Sequence, residues 1–303
     1  MFAAIASHIN KGPMQTQNST ANTLAQEPPL NWRRHDIENR LGFTGGRFTT
    51  TNNLLTALFG LLATAIFFGG VIWIQQRPDL RWLGNMFLDR GPSQFVTMFL
   101  FFWALGILLI KTQKLRLQRR ALTVNAVPAQ GDFQLNTATA RSTLDRIQGL
   151  ADATGHFLLL NRIERALSNL KNIGQISDVS SILQTQAAYD EEQVNSSYGL
   201  VQGFIWAIPV VGFIGTVLGL SQAIGFFGET LKSEGDMGGI RESLQSVTAG
   251  LATAFETTLV ALVCALVLQL LVAYLQTKES EFLDACNDFC HANVVSKLRL
   301  AQG

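Results

Sequence analysis

The feature that most constrains this chain is a long run without charge, from Gly203 to Phe227. A helix rises roughly 1.5 Å per residue, so the run is long enough to cross a hydrocarbon core of about 30 Å. Pro209 lies in its first half and Thr216 in its second. Small residues recur at helical spacing on one face, where another backbone can approach closely: Gly212, Gly215 and Gly219. The run predicts a membrane helix built for close packing, or a plain span whose threonine bonds its own i−4 carbonyl.

A second long apolar run extends from Val247 to Leu275 and has its own stripe of small residues. The stripe consists of Gly250, Ala254, Thr258, Ala261 and Ala265. Glu256 lies inside the run, about 200° around the helix from Thr258, so it does not belong to the stripe. A carboxyl group at membrane depth costs about 2.5 kcal/mol or more and must face protein or water. Glu256 is therefore either part of an ion pathway or a structural glutamate that is protonated or reaches the interface.

Two further apolar runs complete four predicted spans: Leu54 to Ile74, and Phe95 to Ile110 with a possible start at Pro92. Hydrophobic residues make up 48% and charged residues 15% of the chain, which is typical of an integral membrane protein with polar parts outside the bilayer. Neither of these two runs contains a charge, so we expect a peripheral hairpin that faces lipid. The net charge of +1 argues against nucleic acid as a partner.

The polar segments set the expected topology. Lys111 to Arg120 holds five basic residues and no acidic one, which marks the cytoplasmic side and places both termini there. A stretch without proline from Ile176 predicts one long helix that continues into the third span. We therefore predict an all-α, polytopic membrane protein with four transmembrane helices and a cytoplasmic helical domain. Its expected order is a flexible tail (1–50), the hairpin (51–112), the cytoplasmic domain (113–200), the third span (201–227), a periplasmic loop (228–246), the fourth span (247–276) and a cytoplasmic C-terminal helix (277–303).

The residue types of common catalytic and metal sites do not gather in the sequence. All four histidines lie outside the spans, and no Ser-His-Asp set or phosphate-binding loop is recognisable. Cys286, Cys290 and His291 are close in sequence, but three ligands without a fourth favour ordinary reduced thiols over a metal site. We therefore expect no enzyme activity, no metal and no cofactor.

The two striped spans carry a resemblance to a known family. Phe213-Ile-Gly-Thr-Val-Leu-Gly219 resembles the F-x-G-T-V-x-G motif of the MotA/TolQ/ExbB proton-channel family. Gly250 to Leu262 aligns without gaps on the pattern G-I-A-E-A-L-x-A-T-x-x-G-L of its ExbB/TolQ branch. The layout of four spans with a leading hairpin is similar to that of flagellar stators. The resemblance is close from Asp190 to Leu275 and elsewhere extends only to the layout.

The resemblance implies roles for individual residues. It places Thr216 and Thr258 at the two pore-facing threonines of the family. Thr253 stands where the ExbB/TolQ branch often has a glutamate, and Ala261 stands where it has a glycine. Glu256, one helical turn from Thr253, is the candidate to take over the role of that carboxylate. The packing residues are expected between neighbouring copies or along a central pore; they are Pro209, Gly212, Gly215, Gly219, Gly250, Ala254 and Ala261.

A proton path through a membrane needs a group that titrates, and the predicted spans contain no aspartate, histidine, lysine or arginine. Either Glu256 titrates, or a partner supplies the carboxylate. The resemblance implies the partner, a single-span protein of the ExbD/TolR/MotB kind with a membrane aspartate. It also implies a homopentamer around two such helices in the bacterial inner membrane, driven by the proton motive force. Two other interpretations stay open: a non-conducting membrane scaffold, and a solute transporter that uses Glu256.

Overall fold

The computed structural model describes residues 29–43, 45–89, 91–128, 133–168, 176–232 and 237–299, so most of the expected flexible tail lies outside the described residues. The described residues form helices and contain no β-strand beyond two isolated bridges, which confirms the all-α fold. The α-helices are α1 Trp32–His35, α2 Ile37–Arg40, α3 Asn53–Gln75, α4 Arg81–Leu88, α5 Pro92–Arg120, α6 Thr137–Leu150, α7 Leu158–Ser168, α8 Ile176–Ser196, α9 Gly199–Lys232 and α10 Met237–Cys290.

Four of these helices, α3, α5, α9 and α10, are long and apolar enough to cross a membrane, as predicted. Local chemistry sets where the first two begin. The Asn52 side chain accepts hydrogen bonds from the amides of Leu54 and Leu55 and so caps α3. Before α5, Gly91 adopts a φ of 84°, which favours glycine. Pro92 then occupies the first helical turn, where its missing N–H is not needed.

The long helices form one bundle, in which α9 and α10 pack along each other and α5 packs against both. The helix α3 packs mainly against α5. In the apolar stretch of α5, 50% of the residues are buried, compared with 17% in α3. The expectation of a peripheral hairpin therefore describes α3 but not α5, because α5 places Ala104 and Ile107 in the core of the bundle.

The third and fourth spans are parts of longer helices than hydropathy predicted. The helix α9 continues to Lys232 and α10 begins at Met237, so most of the loop expected at 228–246 is helical. The connection between them, 233–236, lies outside the described residues. At its other end α10 continues through Cys290, which agrees with the expected extension of the last helix beyond the membrane.

The helix expected to run unbroken from Ile176 into the third span is interrupted at Ser197 and Tyr198, between α8 and α9. Polar side chains surround this break. Lys111 Nζ donates to Ser197 Oγ at 2.8 Å and lies 3.2 Å from the Glu279 carboxylate. The Tyr198 hydroxyl donates to the same carboxylate at 2.6 Å. The break thus ties α5, α9 and α10 together through buried polar groups.

Residues 29–43 and 45–52 form an N-terminal segment that packs onto the bundle, so the prediction of a flexible tail (1–50) was wrong for the described residues up to 50. Trp32 is 1% exposed, and its backbone N–H donates to the Asp152 carboxylate at 2.6 Å. Glu38 is buried and accepts a hydrogen bond from Lys114 Nζ at 2.5 Å. The polar composition concealed this docking, because the acidic side chain finds its partner 76 residues away in the sequence.

The remaining helices form a polar part around the end of α10. Helices α7 and α8 pack against α10, and α6 packs against α7. Leu159 and Ile163 of α7 are fully buried. Arg162, also buried, donates to the carboxylate of Asp190 at 2.5 Å and to the side chain of Asn287. The ion pair joins α7 to α8, and the hydrogen bond to Asn287 joins α7 to α10.

Candidate functional site

Thr216 of α9 and Thr258 of α10 meet between the two helices, and their hydroxyl groups share a hydrogen bond. The Thr216 hydroxyl is also 3.2 Å from the carbonyl oxygen of Gly212 and 3.1 Å from that of Ala254. The Thr258 hydroxyl is 3.3 Å from the same Gly212 carbonyl. The structure therefore brings together the two threonines that the sequence singled out, and we call them the threonine pair.

The threonine pair forms because α9 and α10 approach each other through positions without large side chains. A Cβ atom at Gly212 would lie 2.5 Å from Cβ of Ala261. One at Gly219 would lie 3.1 Å from the carbonyl oxygen of Gly250, and one at Gly250 would lie 2.5 Å from Cβ of Ala223. Close backbone approach of this kind stabilises helix pairs in lipid. These contacts join two helices of one chain. The expectation that these residues lie between neighbouring copies or along a central pore stays a prediction.

The threonine pair is a neutral, hydrogen-bonding site. Each hydroxyl has one donor and two acceptor lone pairs, and both hydrogens find acceptors in the other hydroxyl or in nearby carbonyls. Both side chains are half-buried, so part of their acceptor capacity is accessible. The pair can therefore order water, but it cannot take up or release a proton near neutral pH.

The threonine pair lies at the side of the α9–α10 unit that faces away from α5. On the α5 side, a Cβ at Gly215 would lie 2.6 Å from Ser93 Oγ and 3.0 Å from Thr257 Oγ1. Thr216 directly follows Gly215, and Thr258 directly follows Thr257. Each threonine of the pair is therefore rotated by about 100° around its helix from the residue that faces α5. Large apolar side chains on this side are uncovered in the single chain, since Phe213 is 63% exposed and Phe255 is 68% exposed.

The structure does not bring the predicted carboxylate to the threonine pair. Glu256 lies about 200° from Thr258 around α10, on the side that carries the buried Val260 one turn later. The Glu256 side chain is half-buried and has an interaction partner in the chain. Thr253, at the position where a glutamate was expected from the resemblance, donates its hydroxyl to the carbonyl of Ala249 at 3.0 Å. Its methyl group lies in the contact with α9.

Pro209 lies inside α9 without ending it. A proline has no N–H, so the carbonyl of Ile205, four residues earlier, loses its helical donor. Pro209 precedes Gly212 by three residues and Thr216 by seven, and these spacings place it on the same side of the helix. The sequence singled out Pro209 for packing only. Its presence leaves the Ile205 carbonyl as a backbone acceptor about three turns before Thr216.

Ser93 of α5 is a part of this region that sequence reasoning missed. Its hydroxyl is buried and has no hydrogen-bond partner among the described residues. It lies beside Gly215 and Thr257, where α5 meets the α9–α10 unit. In the sequence it follows Gly91 and Pro92 and looks like the end of a turn, so no local signal marks it.

Residues 158–287, which extend from α7 to near the end of α10, match the model of the MotA/TolQ/ExbB proton channel family. Through this segment the chain is similar to the MotA/TolQ/ExbB family, as the sequence motifs predicted. The matched segment contains the threonine pair and Glu256, and it leaves out the N-terminal segment, α3 and α5. No curated protein and no solved structure gives a significant match to the chain. The match to this family suggests a proton-channel role in an energy-transducing motor complex.

Two of the three cysteines lie near the end of α10, beyond its apolar span. Cys286 and Cys290 are buried free thiols on α10. Across the described ranges of the chain, no three His, Cys, Asp or Glu side chains come close enough to hold a metal ion.

Proposed function

We propose that this chain is the proton-conducting subunit of a rotary motor in the bacterial inner membrane, which converts the proton motive force into mechanical work. Five copies surround two helices of a single-span partner of the ExbD/TolR/MotB kind, whose aspartate lies in the membrane. The observation that carries the proposal is the threonine pair, which lies at an uncovered face of the two spans matched by the proton channel family.

The uncovered face is suited to line a ring around a partner helix. Trp206, on the same side of α9 as the threonine pair, is 78% exposed in the single chain. In lipid, apolar surface alone does not drive association, because the acyl chains are as apolar as the protein. The hydroxyls of the threonine pair distinguish this face from the other exposed apolar faces of the spans, since they can bind water among apolar side chains.

In the proposed mechanism, the threonine pair holds water beside the partner's aspartate. Threonine does not titrate, so the partner's carboxylate takes up the proton from one side of the membrane and releases it to the other. The charged aspartate is attracted to the hydroxyls and their water, and the protonated aspartate is free to move to the next copy. Each charge that crosses contributes about 2.3 kcal/mol for every 100 mV of membrane potential.

The same proposal fixes the orientation in the membrane. The basic end of α5, Lys111 to Arg120, lies on the cytoplasmic side together with α6, α7 and α8, because basic residues are retained on that side. Both chain termini are then cytoplasmic. The chain performs its work by moving protons and neighbouring helices, without catalysing a reaction.

One observation favours a second candidate, a non-conducting scaffold. Both hydroxyls of the threonine pair have acceptors within the chain, so the pair also serves as a hydrogen-bonded clamp between α9 and α10. A scaffold needs the clamp for assembly only, whereas a channel needs the hydroxyls for proton flux. The two candidates therefore differ in what happens when the hydroxyls are removed and the shape is kept.

The test replaces each hydroxyl by a methyl group in the complex purified from membranes through a tag on this chain. We expect Thr258→Val and Thr216→Val each to lower proton flux into proteoliposomes at least about tenfold under an imposed potential. The mass of the complex in detergent should not change, because valine matches threonine in shape. The control is Thr64→Val, since the Thr64 hydroxyl bonds the carbonyl of Gly60 within α3. Unchanged flux in both pair variants would overturn the role of the hydroxyls in conduction. A wild-type complex that conducts no more protons than empty liposomes would overturn the channel and favour the scaffold.

A further inference from the structure

A groove of about 460 Å³ runs between α3 and α5, on the opposite side of α5 from the functional site. Apolar side chains form most of its wall. They include Leu58 and Leu62 of α3, Leu109 of α5, and Ile37 and Leu41 of the N-terminal segment. Leu58 is 54% exposed and Leu62 is 60% exposed, so the groove is open along its length. Gln113 of α5 closes the polar end.

The groove continues toward the middle of the membrane. A second hollow of about 380 Å³ shares Leu62 with the first and reaches Ile66. From Leu55 to Ile66, α3 rises about 17 Å. One leaflet of the hydrocarbon core is about 15 Å deep. The groove thus has the length of a single acyl chain and ends near the plane where the two leaflets meet.

The polar end of the groove is cationic. Along one face of α5, residues at spacings of three and four change from apolar to basic: Gly106, Leu109, Gln113, Arg116 and Arg120. Arg116 and Arg120 are exposed, as is Arg40, which directly precedes Leu41 at the groove. Within the described part of the chain, no carboxylate forms an ion pair with any of these three arginines.

The acidic side chains nearby do not neutralise this end, because they point inward. Asp36 is 2% exposed and Glu38 is fully buried, and both face Lys114. The arginines of the N-terminal segment are therefore exposed at its surface, whereas the acidic residues that lie between them in the sequence are buried. A cationic rim above an open apolar groove of leaflet length is complementary to a lipid with an anionic headgroup.

We propose that this groove binds an anionic phospholipid, with one acyl chain between α3 and α5 and the headgroup phosphate held by Arg40, Arg116 and Arg120. The lipid seals the seam between the outermost helix and the N-terminal segment. The proposal requires that the chain spans a membrane, but it does not depend on proton conduction. Its test can therefore fail or succeed independently of the proposed function.

The experiment is native mass spectrometry of the full chain in neutral detergent, titrated with palmitoyl-oleoyl-phosphatidylglycerol or with phosphatidylcholine of the same acyl chains. We expect phosphatidylglycerol to bind about tenfold more tightly. Replacing Arg40, Arg116 and Arg120 by glutamine should remove this preference, a loss of about tenfold, because basic residues near the membrane surface attract anionic lipids. Leu109→Trp, which fills the groove, should weaken both lipids.

The control is Arg81→Gln, an exposed arginine at the opposite end of the hairpin, which should leave the preference unchanged. Thermal unfolding confirms that each variant is folded. Equal binding of the two lipids by the wild type would overturn the proposal. A preference that survives the replacement of the three arginines, or unchanged lipid binding in Leu109→Trp, would overturn it as well. Two other results would also overturn the proposal, because each indicates an occupant of the groove other than a lipid. A change of oligomeric mass on Leu109→Trp would indicate a second copy in the groove, and stronger lipid binding after removal of residues 1–28 would indicate the chain's own terminus.

Discussion

At the scale of single residues, the candidate site consists of the two hydroxyls of Thr216 and Thr258, which do not titrate near neutral pH. The carboxyl group of Glu256 lies on another side of α10. The importance of Thr216 and Thr258 was predictable. Each lies on or beside a stripe of small residues, and the resemblance places both at pore-facing positions of the family. The direction of Glu256 was partly predictable, since the helical period alone turns it about 200° from Thr258. Its half-buried environment was not, because it depends on how α10 packs in the bundle.

We predict that Glu256→Gln leaves proton flux within a few-fold of the wild type. Glutamine keeps the size and hydrogen-bonding capacity of the side chain, and Glu256 does not share the face of the threonine pair. The measurement is flux into proteoliposomes, with Thr258→Val as the inactive reference. A loss of flux as large as that of the reference, in an intact complex, would show that Glu256 titrates in the pathway and that the partner's carboxylate is not the only one required.

At the scale of helices, the glycine stripes show what a sequence can and cannot specify. Their spacing predicts that a backbone comes close to that face, and this is confirmed at Gly212, Gly219 and Gly250. The spacing does not say which helix comes close, because any smooth face allows the same approach. In the structure the partner is the other striped span of the same chain. The packing of α5 was missed for a related reason, since an uncharged span looks the same whether lipid or protein surrounds it.

Gly219→Leu should therefore destabilise the chain itself, and not only its contacts with other copies. A side chain at Gly219 would push against the backbone of Gly250 from 3.1 Å, where no rotamer change gives relief. Overpacking of this kind costs about 1–3 kcal/mol or more. The measurement is thermal unfolding in detergent. The matched control is Gly203→Leu on the same helix, where a Cβ would meet no atom within 4 Å. Equal melting temperatures for the two variants would contradict the interlocked α9–α10 contact.

At the scale of the whole molecule, buried charges hold the polar end of the bundle together. Lys114 binds Glu38 of the N-terminal segment, and Lys111 binds Glu279 of α10. Burial raises the pKa of Asp36, against the opposing effect of Lys114. None of these pairs was foreseen, because each joins residues far apart in the chain and a sequence shows no period for such contacts. The basic run Lys111 to Arg120 gave no sign of these contacts, although its two lysines, Lys111 and Lys114, are buried.

The last prediction concerns the docking of the N-terminal segment. Glu38→Gln leaves the ammonium group of Lys114 buried without its carboxylate, which costs about 3–5 kcal/mol for a broken buried pair. We expect a lower free energy of unfolding and faster hydrogen exchange in residues 29–43, since the Glu38 carboxylate also accepts from the amides of Gly46 and Asn52. The control is Glu281→Gln, whose carboxylate binds Lys278 at the surface and should have no measurable effect. A second variant, Glu38→Leu with Lys114→Met, replaces both charges by apolar groups and should recover most of the stability. If Glu38→Gln exchanges and melts like Glu281→Gln, the segment is held by its apolar contacts around Trp32 alone, and the ion pair is not what docks it.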